Sequence, residues 1–491
     1  MKQPKIVIIG AGFAGRAIAQ EIKSKGILGK TTAFIDDDEG KIGTTVDGIP
    51  VLGPVSEISN LKERLCAEEA LIAIPTADKK QLRRIYTYLK DARFSKIRIL
   101  PGISQIIDGD PHLIQAREID PQDLLGRTPV AIPLKESLSY LRGKRVLITG
   151  AGGSIGSELS RQLLSGGAER LYLFGHGENS IYEIERELRL LQEEGVGDKA
   201  TVVPIIGELQ DRDYIRFLLK RLRADVIFHC AAYKHVPMVE ANPIEAIKNN
   251  VFGTKTLVEA SVESEISKLV FISTDKSVSP VSIYGASKYL AEQIVLGHRY
   301  DSPRTSCMVV RFGNVLGSRG SIVPLLRKQI EKGGPVTITD PRAKRFFMTI
   351  PEAASLVLKT GGMGKNGGLY VLDMGEPILV DELARQMITF YGYTPDHDIE
   401  IQYIGLRPGE KLEEQLWNGN ENPVPTEHVR ILTIPSMQTD AEKFELLLSR
   451  LKPVCYFKPG KPDMFRNKRE LKKILSDFVP SVPVDLNEAP Y

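Results

Sequence analysis

A chain of 491 residues is long enough for two to four domains at roughly 150 residues each, and its 42% hydrophobic residues are the share of an ordinary soluble globular protein. With 65 Lys and Arg against 62 Asp and Glu, the net charge of +3 argues against nucleic acid as a partner. The four cysteines, Cys66, Cys230, Cys307 and Cys455, lie far apart without zinc spacing, so no metal site is expected and they read as small buried residues in a reducing compartment. No run of 18 or more apolar residues marks a membrane span, and the apolar run at Lys5–Ile9 is too short for a signal peptide. The expected location is cytoplasmic.

Lys5 to Gly26 reads as strand, glycine turn and helix, with Gly10, Gly12 and Gly15 in G-x-G-x-x-G. The first glycine makes the tight turn, the second lets a pyrophosphate approach the backbone, and the third lets helix pack on strand. The next strand, Thr32 to Ile35, ends in Asp36-Asp37-Asp38, which places Asp36 where it would hold a ribose hydroxyl. The apolar stretch Ala70 to Pro75 continues the βαβ rhythm. Residues 1–125 are therefore expected to form a Rossmann-like, nucleotide- or CoA-binding-like domain, the alternative being an α/β domain that no longer binds a ligand.

Proline and glycine then punctuate the chain without periodicity, and residues 126–143 read as a linker. A second α/β unit starts at Lys144, where Gly150, Gly153 and Gly156 form G-x-x-G-x-x-G between strand and helix, with Ser154 and Ile155 inside the loop. Its second strand ends in Gly175-His176-Gly177 without an acidic residue or an adjacent arginine, so NAD and NADP both stay open. Glu208 and Leu209 are candidates for an adenine edge. His229 to His235 leaves a buried strand at the carboxyl edge of the sheet, where Ala231, Ala232 and Tyr233 would meet a cofactor. His229 and His235 read as structural.

The richest stretch is Ser273 to Lys288, S-T-D-K-S-V-S-P-V-S-I-Y-G-A-S-K, after the strand Leu269 to Ile272. Tyr284 and Lys288 are spaced i and i+4 on one helix face, so the ammonium is expected to lower the tyrosine pKa towards that of a general base. Upstream, Asp275 and Lys276 add a second acid/base pair, and Ser273 borders the cofactor.

T-G-A-G-G-S-I-G, H-C-A-A-Y-K-H-V-P-M-V-E, S-T-D-K, Y-G-A-S-K, R-F-G-N-V-L-G-S-R-G-S and R-F-F-M-T-I-P-E-A together resemble the nucleotide-sugar 4,6-dehydratases. These are extended short-chain dehydrogenases/reductases of polysaccharide and glycan synthesis, and the likeness covers about Lys144 to Leu416. It implies an α/β protein with two tandem Rossmann-like doubly wound parallel-sheet domains. The second, residues 144–440, would be the extended short-chain dehydrogenase fold with its substrate-binding part mainly after 315, followed by a partly disordered extension over 441–491. The family's longer members usually begin with membrane-spanning helices, absent here, and many carry methionine at the position of Tyr284.

The resemblance implies a tightly bound, recycled NAD or NADP, a UDP-sugar substrate and a homo-oligomer. Tyr284 and Lys288 would serve oxidation at C4, and Thr274 would polarise the C4 oxygen. Lys276, with a lowered pKa, would take the C5 proton, while a protonated Asp275 assists loss of the C6 hydroxyl as water. Lys234, Asn314, Arg345, Arg407 and Glu410 would contact the substrate, the arginines because guanidinium presents forked donors to a pyrophosphate. The alternatives are a nucleotide-sugar 4-epimerase and a non-catalytic NAD(P)-sensing protein. The basic run Lys458, Lys461, Arg466, Lys468 and Arg469 reads as a solvated face, with peripheral attachment to an acidic membrane as the second reading.

Overall fold

The computed structural model describes residues 4–25, 29–100, 117–118, 138–297, 304–435 and 440–483. The chain divides into two compact units, Met1–Pro133 and Leu134–Tyr491.

The main sheet of the first unit has five strands, β1 (Lys5–Ile9), β2 (Lys30–Ile35), β3 (Glu69–Ile72), β4 (Lys96–Ile99) and β5 (Arg117–Glu118), in the order β2-β1-β3-β4-β5. All pairings are parallel except β4 with β5. Helix α1 (Phe13–Lys25) follows β1 through the glycine turn. Gly10 has φ +102°, and a Cβ on Gly15 would lie 1.9 Å from the Gly10 carbonyl oxygen, so these two positions need glycine for the turn and for the close helix–strand approach.

In the second unit, β6 (Arg145–Thr149), β7 (Arg170–Gly175), β8 (Thr201–Ile206), β9 (Val226–His229), β10 (Lys268–Ile272), β11 (Ser306–Arg311), β12 (Gly368–Leu372), β13 (Val424–Pro425) and β14 (Ile431–Ile434) form one nine-stranded sheet. Its order is β8-β7-β6-β9-β10-β11-β12-β14-β13, parallel as far as β12 and antiparallel beyond. Val146–Ile148, Val226–His229 and Leu269–Ile272 are buried as continuous runs, the pattern of parallel strands covered on both faces. Strand order reverses between β6 and β9, which opens a crevice at their carboxyl ends.

The expected linker and the expected C-terminal extension both carry structure. Leu138 and Leu141 are buried and the Tyr140 hydroxyl donates to the Leu358 carbonyl at 2.8 Å, so residues 138–143 pack with the second unit rather than serve as linker. Residues 126–137 of that expected linker lie outside the described residues. The expected C-terminal extension folds as two helices, 441–455 and 468–478, which bury Phe444, Leu447, Leu448, Leu451, Leu471, Ile474 and Leu475. Within the basic run, Arg466 is paired with Glu245 at 2.8 Å. Residues 484–491, at the end of the extension expected to be partly disordered, lie outside the described residues. Among the described residues no helix is long and apolar enough to cross a membrane, and no cluster of three or more His, Cys, Asp or Glu side chains is arranged to hold a metal ion. Cys307 and Cys455 are buried as expected, whereas Cys66 is exposed, at the left-handed end of a helix, and Cys230 is half-buried.

Candidate active site

The crevice deepens into a cavity of about 810 Å³. Its walls include Gly150, Gly153–Gly156, Ser273, Thr274, Lys276, Tyr284, Lys288, Asn314, Arg345, Arg407, Glu410 and Glu414. A second cavity of about 260 Å³ continues from the glycine loop to Glu208, Leu209 and His176, and both are lined by Gly150, Gly153, Ala232 and Tyr233. Ala231 lines the second. The sequence candidates for cofactor and catalysis thus converge, with one exception. Asp275 is wholly buried behind the wall.

These residues fit a nicotinamide dinucleotide. The glycine loop caps the N-terminal end of α2 (Ser154–Ser165), where unpaired backbone N–H groups favour a pyrophosphate. A Cβ on Gly150 would lie 2.8 Å from the backbone of Ala231, and one on Gly156 2.2 Å from the Gly150 carbonyl oxygen, so side chains would close the cradle. Arg319 ties a further loop onto it, donating from its backbone N–H to Ser154 Oγ at 3.1 Å and from its guanidinium to the Gly152 carbonyl.

The catalytic stretch is held from beneath by a buried charge cluster. Glu292 accepts from Ser273 Oγ at 2.5 Å and Ser277 Oγ at 2.7 Å, which brackets Thr274–Lys276. Arg311 donates to the same carboxylate at 2.8 and 2.7 Å and reaches Glu421 at 2.9 Å. Arg311, the arginine of R-F-G-N, is therefore structural. His229 is structural too, bridging Thr149 Oγ1 at 2.7 Å and Thr254 Oγ1 at 2.9 Å; burial, then Lys288, pulls its pKa down to about 3.

Behind the cavity wall, Asp275 Oδ1 accepts from Thr274 Oγ1 at 2.9 Å and Lys276 Nζ at 3.0 Å. Lys276 Nζ also donates to Asn314 Oδ1 at 3.2 Å and stands 3.5 Å from Glu414 Oε1. The expected lowering of the Lys276 pKa is corrected. Burial does pull it down, but the Asp275 and Glu414 carboxylates outweigh that and hold the ammonium above its ordinary value. The expected lowering of Tyr284 is corrected as well. Burial pushes its phenol up to about 12, against the pull of Lys276. Lys288 is turned elsewhere, donating to the Ile272 carbonyl at 2.6 Å and lying 3.9 Å above the Phe271 ring.

Burial lowers Lys288 itself to about 7. Between that value and the ordinary lysine range near 10.4, the unfolded chain keeps a proton that the folded chain has lost, so stability rises with pH. Denaturant titrations of the cofactor-free protein between pH 7 and 10 are expected to show this rise, and Lys288→Met to flatten it. Equal slopes in the two proteins would contradict the assignment.

The substrate candidates divide. Lys234 lies 3.5 Å from Ser318 Oγ, and Arg407 and Glu410 stand together, the Arg407 N–H donating to Glu410 Oε2 at 3.2 Å. Arg345 is committed to backbone, donating to the carbonyls of Lys344, Leu412 and Lys411 at 2.7, 3.0 and 2.8 Å, so its fork anchors that segment. In the first unit, Asp36 Oδ2 accepts from the Ala11 N–H at 2.7 Å and its carboxylate pairs with Lys41 at 3.3 Å. The carboxylate expected to hold a ribose is thus bonded to its own glycine loop, although a Cβ on Gly12 would meet nothing within 4 Å.

Residues 146–436 match the family described as polysaccharide biosynthesis protein. The chain belongs to this family. Residues 1–81 match the CoA binding domain. Among relatives of this polysaccharide biosynthesis protein, the capsular polysaccharide biosynthesis protein CapD of Staphylococcus aureus is 40% identical over 84% of this chain and 69% of its own length. The UDP-N-acetylglucosamine 4,6-dehydratase (inverting) of Campylobacter jejuni is 28% identical over 63% of this chain and 88% of its own. A UDP-glucose 4-epimerase of Rickettsia conorii is 33% identical over 57% of this chain and 79% of its own.

Sequence reasoning passed over Glu414, Glu292 and Arg319. Glu414 follows Glu410 by one helical repeat but sits in a loop, so no periodicity separates it from Glu413 beside it.

Proposed function

We propose that this polysaccharide biosynthesis protein is a UDP-N-acetylhexosamine 4,6-dehydratase acting on UDP-N-acetylglucosamine. The observation that carries the reading is the Asp275–Lys276 pair, hydrogen-bonded at 3.0 Å within reach of the Tyr284/Lys288 helix. Bound NAD or NADP would supply the acceptor for hydride from C4 and its donor to C6. Tyr284 takes the C4 hydroxyl proton, with the Lys276 ammonium favouring its phenolate.

A ketone at C4 acidifies the C5 hydrogen. Shifting the shared proton from Lys276 Nζ to the Asp275 carboxylate leaves a neutral amine beside a carboxylic acid, whose proton is delivered from Oδ2. The amine takes the C5 proton, the C5–H electrons form the C5–C6 double bond, and the C6–O bond breaks. The departing oxygen takes its proton from Asp275 and leaves as water, which restores carboxylate and ammonium. Asp275 Oδ2 has no hydrogen-bond partner, and a Cβ on the wall residue Gly313 would lie 3.0 Å from it, so the missing side chain leaves this oxygen close to the cavity. Lys234, Arg407, Asn314 and Glu410 hold the nucleotide sugar.

Mass spectrometry of UDP-N-acetylglucosamine incubated with the protein tests the reading, with loss of one water expected. An isomer of unchanged mass would favour a 4-epimerase, which the Tyr284/Lys288 pair alone would equally serve.

A further inference from the structure

We infer that Glu414 is a positioning residue for the elimination step, acting through Lys276. The inference rests on the dehydratase reading and extends it to a residue outside the Asp-Lys and Tyr-Lys pairs. The Glu414 side chain is 4% exposed, lines the cavity, and places Oε1 3.5 Å from Lys276 Nζ, while Oε2 has no hydrogen-bond partner. Lys276 Nζ is therefore held among three oxygens, those of Asp275, Asn314 and Glu414. Of these only Asp275 and Glu414 bring charge.

Six groups face this carboxylate or its partner amine, among them Lys234, whose charge acts on Lys276. Lys411 Nζ is 3.9 Å from Oε2 but donates to the Val278 carbonyl at 2.6 Å. Arg345 acts on Glu414 from strand 344–345 with its fork bound to backbone. Asp275 and Lys276 approach from the 275–277 turn, and Tyr284 faces Lys276 from its own helix. A buried carboxylate with one unpaired oxygen is costly unless a nearby cation repays it. Lys276 is the cation closest to it.

The chemistry gives Glu414 a definite task. Elimination uses the single proton shared by Asp275 and Lys276, and above the pH at which that proton is lost the site has a base but no acid. The Glu414 charge makes the proton harder to remove and stabilises the ammonium that forms as Lys276 takes the C5 proton. Glu414 thereby extends dehydration towards higher pH.

Glu414→Gln keeps the shape and removes the charge. The C4 oxidation seen as transient NAD(P)H absorbance is expected to stay within about threefold of wild type, while dehydration at pH 8 falls about tenfold or more and its basic limb moves about one pH unit lower. Glu414→Asp, which keeps the charge, is expected to hold the limb near the wild-type position. An unmoved limb in the Gln variant overturns the inference, as does an Asp variant that shifts as far as Gln. If wild type gives no dehydrated product with UDP-N-acetylhexosamines, the dehydratase reading falls and this inference with it; wild-type dehydration matched by Glu414→Gln overturns only the inference.

Discussion

Replacing Lys276 with alanine is expected to leave a chain that oxidises its sugar at C4 and stalls there. The variant keeps Tyr284, Lys288 and the glycine loop, none of which depends on the lysine for position: the Tyr284 helix is fixed through its own turn, and Glu292 holds Ser273 and Ser277 on either side. The group that meets the C5 proton is lost outright, and general-base groups contribute roughly 10²- to 10⁴-fold; the ammonium that favours the Tyr284 phenolate goes with it, so C4 oxidation slows but still proceeds through Tyr284. NAD(P)H absorbance should therefore rise and persist in single-turnover experiments, with dehydrated product down by at least about a hundredfold. Dehydration at the wild-type rate would remove Lys276 from the mechanism.

The second large effect concerns stability. Glu292 is fully buried and Arg311 nearly so, and the pair carries two hydrogen bonds besides those from Ser273 and Ser277. Removing one member of a buried pair typically costs about 3–5 kcal/mol; without Glu292, Arg311 keeps only Glu421 as a carboxylate partner, while Ser273 and Ser277 lose their acceptor, so the cost is expected towards the lower end. Glu292→Ala should show this as a lower urea midpoint of the second unit, with loss of activity following from the loosened 274–276 turn. A cost below about 1 kcal/mol would mean that the cluster is not the support described here.

The α/β plan, the glycine loops and the convergence of Tyr284, Lys288, Thr274 and Lys276 were legible in the sequence because each is local. A glycine spacing, an i, i+4 pair and a buried apolar run declare themselves within a few residues. Protonation was not legible. Tyr284 and Lys288 do share a helix face, yet Lys288 finds the Ile272 carbonyl and the Phe271 ring instead of the phenol. Lys276 lies next to Asp275 in sequence, but Glu414, which also holds its charge up, arrives from 138 positions away. Arg345 and Arg407 both looked like substrate forks, and only a tertiary partner, the 411–412 backbone that holds Arg345, distinguishes structural from ligand-facing guanidinium. The helices 441–455 and 468–478 were not expected, although Phe444, Leu447, Leu448 and Leu451 recur at helical spacing before the basic run begins at Lys458.

The central claim is that this site removes water across C5 and C6 and carries the C4 hydrogen to C6. Incubating the protein with UDP-N-acetylglucosamine deuterated at C4, then locating the label by NMR and mass spectrometry, tests both halves at once. The expected product is lighter by one water and carries the deuterium at C6. A product of unchanged mass with the deuterium still at C4 would contradict it.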